Sequence, residues 1–228
     1  MLLRQPAEAY RANSCYTYTM DYTDHVRSTY DVIAEDYAND HPNDTWDDDY
    51  IELFSLLLPA GANILELGCG PGVEVKKLRN RGYNVHGLDI SERILAVARR
   101  LNPDSPFTQG DMRKLLFKNA SFDGVFAKAS LLHIEKGDIP KVLSETKRVL
   151  VSKGFFHVAV MKKTPRQHDG FISDDKYGYS YSRFFSFWTS PQLRKELERA
   201  GFDIVHATET KTQDEQTTWI KMIARCRA

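Results

Sequence analysis

The sequence predicts a single α/β domain, a mostly parallel doubly wound sheet with helices on both faces, and three observations carry that expectation. From about residue 63 onward, short apolar runs of strand length alternate with amphipathic stretches of helical period. The first of these runs ends in a glycine-rich turn that opens the next helical stretch. The length, 228 residues, suits one domain of this type.

Residues 1–19, MLLRQPAEAYRANSCYTYT, carry neither period, whereas a helical pattern starts just after Met20. The expectation is a disordered leader or tail, or a native start at Met20; an ordered arm packed on the domain is the alternative. The domain itself is placed at residues 20–228. Within it, residues 20–60 form an N-terminal helical cap and residues 162–189 an insertion facing the substrate.

Asp24 to about Asn39 places Val26, Tyr30, Ile33, Ala34 and Tyr37 at three- and four-residue steps, on one helix face. A second helix runs from about Asp47 to Leu58 and stops at Pro59-Ala60-Gly61. Strands are expected at Asn63–Leu67, Asn84–Leu88, Phe107–Gln109, Phe122–Ala127, Gly154–Met161, Asp203–Glu209 and Thr218–Ala224. Helices fall between most of them, at about Val73–Asn80, Glu92–Leu101, Asp138–Leu150 and Pro191–Ala200. The last two strands have only a short link and read as an antiparallel hairpin at one end of the sheet.

Composition narrows the class of function. Apolar residues make up 42% and charged ones 27%, as in an ordinary globular protein. Lys plus Arg equals Asp plus Glu at 31 each, so bulk charge gives no case for nucleic-acid or anionic-membrane binding. Cys15, Cys69 and Cys226 are few and widely spaced; they suggest a reducing cytoplasm rather than a disulfide framework. No apolar run approaches the ~20 residues of a membrane span, and no histidines or cysteines fall at zinc spacings, so no metal is expected.

The chemistry begins at residues 64–72, ILELGCGPG. Gly68, Gly70 and Gly72 allow a tight turn and close approach of a ligand to the backbone, at the strand carboxyl ends where open α/β sheets bind ligands. The nicotinamide fingerprint G-x-G-x-x-G fails, because its third glycine falls on Val73. Glu66, just before the glycines, would repel phosphate oxygens but could face an ammonium group. Asp89, in GLDIS, follows at the end of the next strand, where a carboxylate can accept both ribose hydroxyls; capping of the helix near Glu92 is the alternative, although Ser91 is the better cap. Asp111-Met112 follows the third strand, where an Asp can bind an exocyclic adenine amine.

In this order the motifs resemble those of the small class I S-adenosylmethionine-dependent methyltransferases, from about Tyr30 to Gly201. ILELGCGPG is similar to their glycine motif, GLDIS to the ribose motif, GDMRKL to the adenine motif and SFDGVFAKASLLHI to the fourth-strand motif. The resemblance implies strand order 3-2-1-4-5-7-6 with the last strand antiparallel, and S-adenosyl-L-methionine as cofactor. It implies that Gly68, Cys69 and Gly70 line the methionine portion, Asp89 the ribose, Ile90, Asp111 and Met112 the adenine, and that Ala127 and Lys128 lie beside the amino-acid end. Lys128 and Leu116 depart from the pattern, where Asn or a small residue and Pro are commoner; a lysine cation suits a sulfonium poorly.

A sulfonium already activates its methyl group, so such a protein has mainly to align a nucleophile and exclude water. His133 in SLLHI is a candidate base, with a locally packed histidine as the alternative. Tyr30 and Tyr37 could cover the site and bring π-faces to the sulfonium, or be core aromatics. The long connection 162–189 is rich in aromatics; Tyr177, Tyr179 and Tyr181 alternate with small residues and are expected to form an extended edge touching an apolar or aromatic acceptor, while Phe184, Phe185 and Phe187 bury the sheet edge. The function expected is methyl transfer to an O, N or C nucleophile of a small molecule; a catalytically silent cofactor-binding sensor is the second hypothesis.

Overall fold

The computed structural model describes residues 21–212 and 217–228, so the expectations for residues 1–19 and for a start at Met20 lie outside the described residues. The strands are β1 (Asn63–Leu67), β2 (Asn84–Asp89), β3 (Phe107–Gln109), β4 (Phe122–Lys128), β5 (Leu150–Met161), β6 (Gly170–Asp174), β7 (Tyr181–Phe185), β8 (Phe202–Lys211) and β9 (Thr218–Cys226). Seven of them form one sheet in the order β3-β2-β1-β4-β5-β9-β8. The pairs from β3 to β5 are parallel, and β9 runs antiparallel to both β5 and β8. With β6 and β7 set aside, this is the order 3-2-1-4-5-7-6 that the family resemblance implies.

The helices are α1 (Tyr22–Asp40), α2 (Asp48–Leu57), α3 (Val73–Arg79), α4 (Glu92–Leu101), α5 (Ile139–Val149) and α6 (Ser190–Arg199). Alternation along the central strands feeds two cores at once. Leu65, Leu67, Val125 and Ala127 face Val142, Leu143, Leu193 and Leu197 of α5 and α6, whereas Ile64 and Phe126 face Ile51 and Phe54 of α2 and Val75 and Leu78 of α3. Strands buried on both sides are apolar at most positions, which is why Ile64–Leu65 in β1 and Gly124–Ala127 in β4 read as apolar runs. Full burial of a side chain such as Ile64 contributes about 1.5–3 kcal/mol.

Helix α1 starts two residues earlier than its periodicity suggests, because the Asp21 side chain accepts from the Thr23 N–H and caps it. Ala34 and Ala38 pack on Ile94 and Val97 of α4. Asp31 Oδ1 accepts from Ser91 Oγ at 2.7 Å and from the Arg93 N–H at 3.2 Å, tying α1 to the start of α4. Ser91 is also the N-cap of α4, accepting from the Ile94 N–H.

The connection after β5 corrects one expectation. It does not form a sheet edge but a separate ribbon: β6 pairs antiparallel with β7, from Gly170 opposite Phe185 to Asp174 opposite Tyr181. Tyr177 and Tyr179 sit in the turn of that ribbon. The ribbon lies against α1, with Phe184 in a cluster with Tyr22 and Val26, while Phe185 and Phe187 join the main core.

Candidate functional site

β1 ends in a loop whose shape depends on glycine. Gly68, Gly70 and Gly72 all have positive φ, at 69°, 51° and 82°. A Cβ built on Gly68 would fall 2.4 Å from Ser130 Cβ, so both the backbone conformation and the contact with the loop after β4 exclude a side chain. The N–H groups of Gly68 and Cys69 donate to the Leu88 carbonyl at 2.7 and 3.0 Å, which holds the loop against the end of β2.

Asp89 completes that clamp. Its Oδ2 accepts from the Gly70 N–H at 2.9 Å and its Oδ1 from the Ser91 N–H at 3.0 Å. Burial pushes the carboxyl up from the ordinary aspartate range, and the backbone N–H bonds pull against that rise.

Above the loop lies a partly enclosed cavity. Its floor is Gly68, Cys69, Gly70, Leu88, Asp89 and Ile90, with Gly110, Asp111 and Met112 on one side and Lys128, Ala129, Ser130, His133 and Ile134 on the other. Thr23, Val26, Tyr30 and Tyr37 of α1 roof it. Asp111 is bonded to a neighbour: its Oδ2 accepts from Arg113 Nε and Nη2 at 2.9 and 2.7 Å. Arg113 also reaches Asp138 and Asp21.

One end of the cavity is a cluster of charges. Lys128 Nζ donates to Glu74 Oε1 at 2.7 Å, lies 3.6 Å from Asp44 and stands 4.6 Å from the centre of the Trp46 ring. Burial works against this ammonium, but the carboxylates of Glu74, Asp44 and Asp47 outweigh it and hold its pKa above the usual lysine range. Glu66 is 2% exposed, and its Oε2 has no partner. Burial and the charge of Glu74 raise its pKa well above that of an ordinary glutamate.

The opposite end carries a hydrogen-bonded pair. Tyr30 Oη and His133 Nε2 are 2.8 Å apart, and His133 Nδ1 lies 2.7 Å from the Phe184 carbonyl. Burial lowers the His133 pKa to about 3, so the ring is neutral at pH 7. His133 sits in a single turn of 3-10 helix, Leu131–His133.

Thus Tyr30, Tyr37, Gly68, Cys69, Gly70, Asp89, Ile90, Asp111, Met112, Lys128 and His133, singled out in the sequence, meet around one cavity. Glu66, Gly72 and Ala127 stand behind its wall; Gly72 starts α3, and Ala127 is fully buried. Tyr177, Tyr179 and Tyr181 are a correction: none belongs to the wall. The ribbon turn carries Tyr177 and Tyr179 to the outer side of α1, where Tyr179 donates to Asp36 at 2.6 Å and Tyr177 to Asp40 at 3.5 Å, while Tyr181 is buried at the start of β7. Replacing all three with Ala is expected to lower the melting temperature, at about 1 kcal/mol per lost hydrogen bond, and to leave ligand affinity unchanged in calorimetry.

Thr23, Val26, Glu74, Asp44 and Ser130 are wall residues the motifs do not mark. Val26 shares the helix face already read from spacing, and Thr23, seven residues before Tyr30, has a helical spacing that could have revealed it. Asp44 comes from a loop and carries no such signal. Cys69 is not built as a nucleophile: it is 3% exposed, and burial with the nearby charges of Asp89 and Glu66 pushes its thiol well up. Cys69→Ser is expected to keep turnover within about tenfold, or about 1.4 kcal/mol, in steady-state kinetics.

Comparison with known proteins agrees with this geometry. A family model described as a methyltransferase domain matches residues 64–154. A 2-phytyl-1,4-naphtoquinone methyltransferase of Thermosynechococcus vestitus is 30% identical over 175 residues, 66% of this chain and 76% of that protein. A dTDP-3-amino-3,6-dideoxy-alpha-D-glucopyranose N,N-dimethyltransferase of Streptomyces fradiae is 32% identical over 93 residues, 41% of this chain. The chain spans less than half the length of the first curated relatives it matches, 36% and 44%. The crystal structure of Burkholderia thailandensis 1,6-didemethyltoxoflavin-N1-methyltransferase, with 1,6-didemethyltoxoflavin and S-adenosylhomocysteine bound, superposes with a TM-score of 0.69 at 19% identity, covering 98% of this chain and 99% of that one. The chain therefore belongs to the class I S-adenosylmethionine-dependent methyltransferases.

Proposed function

We propose that the cavity holds S-adenosylmethionine over the β1–α3 loop and that the protein transfers its methyl group to a small molecule. The carrying observation is the clamp of Asp89 on Gly70, which puts a buried carboxylate and a side-chain-free backbone on one cavity floor. The residues fit the group. A Cβ on Gly70 would point toward Tyr37 and Ile94, at 3.8 and 3.9 Å, so glycine leaves a cradle between loop and roof. Asp89 would take the ribose hydroxyls, Ile90, Asp111 and Met112 the adenine, and Gly68, Cys69 and Gly70 the methionine portion.

Glu74 supplies negative charge for an ammonium group behind the glycines, and Glu66 Oε2, which has no hydrogen-bond partner among the described residues, could accept from that group. Lys128 is held by Glu74 and Asp44, which turns its cation away from a sulfonium and answers the misfit noted in the sequence. When bound, the cofactor supplies a methyl group already activated by positive sulfur. Tyr30 and Tyr37, packed edge to face at 5.4 Å, exclude water from that position. The names of the quinone and amino-sugar relatives support a small-molecule acceptor. The two described cysteines, Cys69 and Cys226, are buried and free, which supports a cytoplasmic setting.

Incubation with S-adenosylmethionine labelled in its methyl group and a metabolite extract tests this reading. Labelled product together with S-adenosylhomocysteine is expected. Cofactor binding with no demethylated cofactor formed would instead make the protein a silent binder.

A further inference from the structure

On the reading just given, we propose that Arg113 is a positioning residue for cofactor selection: its guanidinium, anchored on helices α1 and α5, fixes Asp111 so that one carboxylate oxygen meets the adenine 6-amine. The Arg113 N–H donates to Asp111 Oδ1 at 2.8 Å, while Nε and Nη2 donate to Oδ2 at 2.9 and 2.7 Å. A carboxylate gripped at both oxygens cannot turn without breaking one of these charge-assisted contacts. Each of its oxygens has two lone pairs. Oδ1 uses one on the Arg113 N–H, which leaves the other for a donor from the ligand, and Asp111 lines the cavity together with Ile90 and Met112.

A guanidinium on a loop fixes its partner only if it is held itself. Arg113 Nη1 donates to Asp138 Oδ2 at 2.8 Å, at the start of α5, and Nη2 reaches Thr23 Oγ1 at 2.9 Å and Asp21 Oδ2 at 3.1 Å, at the start of α1. The Tyr22 ring lies 5.4 Å from the guanidinium carbon, and its hydroxyl donates to the same Asp138 oxygen at 2.9 Å. From the other side, the Gly110 N–H donates to the Asp89 carbonyl at 2.9 Å and ties this loop to the end of β2. Asp111 is therefore held in place before any ligand arrives, as preorganised recognition requires. A lysine could not do the same, because its ammonium is a point charge on a flexible stem.

A carboxylate accepts hydrogen bonds and donates none. It matches an amine at position 6 of the purine and gains no hydrogen bond from a purine that carries only a C–H there. Arg113 is also the cation that Asp21, Asp111 and Asp138 share. Without it these carboxylates would repel one another, and Asp111 would turn toward water. The ribose and methionine portions are assigned elsewhere on the cavity floor, to Asp89 and the glycine loop. Loss of Arg113 should therefore fall on base selection more than on affinity as a whole.

The test is calorimetric titration of the whole protein with S-adenosylhomocysteine and with its analogue carrying hydrogen in place of the 6-amine. The wild type is expected to bind the natural ligand about fivefold to tenfold tighter, the gain of one hydrogen bond partly screened by water, since the Asp111 side chain is 31% exposed. In Asp111→Ala and in Arg113→Met the two ligands should bind within about twofold of each other. Arg113→Lys keeps the charge but not the planar donor array and should keep less than about half of the preference; it carries the test if Arg113→Met does not fold. Equal binding of the two ligands by the wild type, or the full wild-type preference in either Arg113 variant, would overturn the proposal. A purely structural role for Arg113 would weaken both ligands by the same factor, leave their ratio at the wild-type value, and overturn it as well. Absence of S-adenosylhomocysteine binding by the wild type would be a different failure, that of the cofactor reading itself.

Discussion

Replacing Asp89 with Ala is expected to weaken S-adenosylhomocysteine binding by about 1.5–3 kcal/mol, at least tenfold, the usual range for hydrogen bonds to a charged group. The structure gives this residue two tasks. Besides facing the cavity, it holds the Gly70 N–H at 2.9 Å and the Ser91 N–H at 3.0 Å, so its loss also frees the loop on which the ligand rests. Asp89→Asn separates the two tasks: one amide oxygen can keep a single backbone bond, while the charge that favours ribose hydroxyls is gone. Calorimetry should rank affinity as wild type, Asn, then Ala. An unchanged affinity in Asp89→Ala would remove this carboxylate from the site.

Gly68→Ala is expected to cost about 2–4 kcal/mol of stability, read as a lowered denaturation midpoint, and to reduce cofactor affinity at the same time. Two costs add. A left-handed backbone is about 1–2 kcal/mol unfavourable for a residue with a Cβ, and Gly68 has φ of 69°. The added carbon would also meet Ser130 Cβ at 2.4 Å, and Ser130 is itself a wall residue of the cavity. The neighbouring loop must therefore move for Ala to fit, and the cavity changes shape with it. Gly61 serves as a control: it also has positive φ, but nothing lies within 4 Å of an added Cβ. Gly61→Ala should show only the backbone cost, with affinity intact.

The parts of this molecule that were legible in the sequence are those fixed by local chemistry. The glycines after β1 and the acid that ends β2 have their meaning within a few residues of chain, and the α1 face Val26, Tyr30 and Tyr37 follows from helical spacing alone. What was not legible depends on distant partners. Tyr30 meets His133, which in turn meets the Phe184 carbonyl 154 residues from Tyr30 in sequence, and no spacing rule reports that. Lys128 looked misplaced because its partners, Glu74 and Asp44, come from a helix start and a loop. The ribbon was misread for a similar reason. The alternation of Tyr177, Tyr179 and Tyr181 suggested one extended face, but Tyr177 and Tyr179 lie in a turn, where carboxylates of α1 hold them away from the cavity.

The central claim is that the cofactor lies between the β1–α3 loop and helix α1. Its most direct test is a crystal structure of the protein with S-adenosylhomocysteine. The ribose is expected on Asp89, the adenine against Ile90 and Met112, and the sulfur beneath Tyr30 and Tyr37. Density for the ligand outside this cavity, or a ribose with no contact to Asp89, would contradict it.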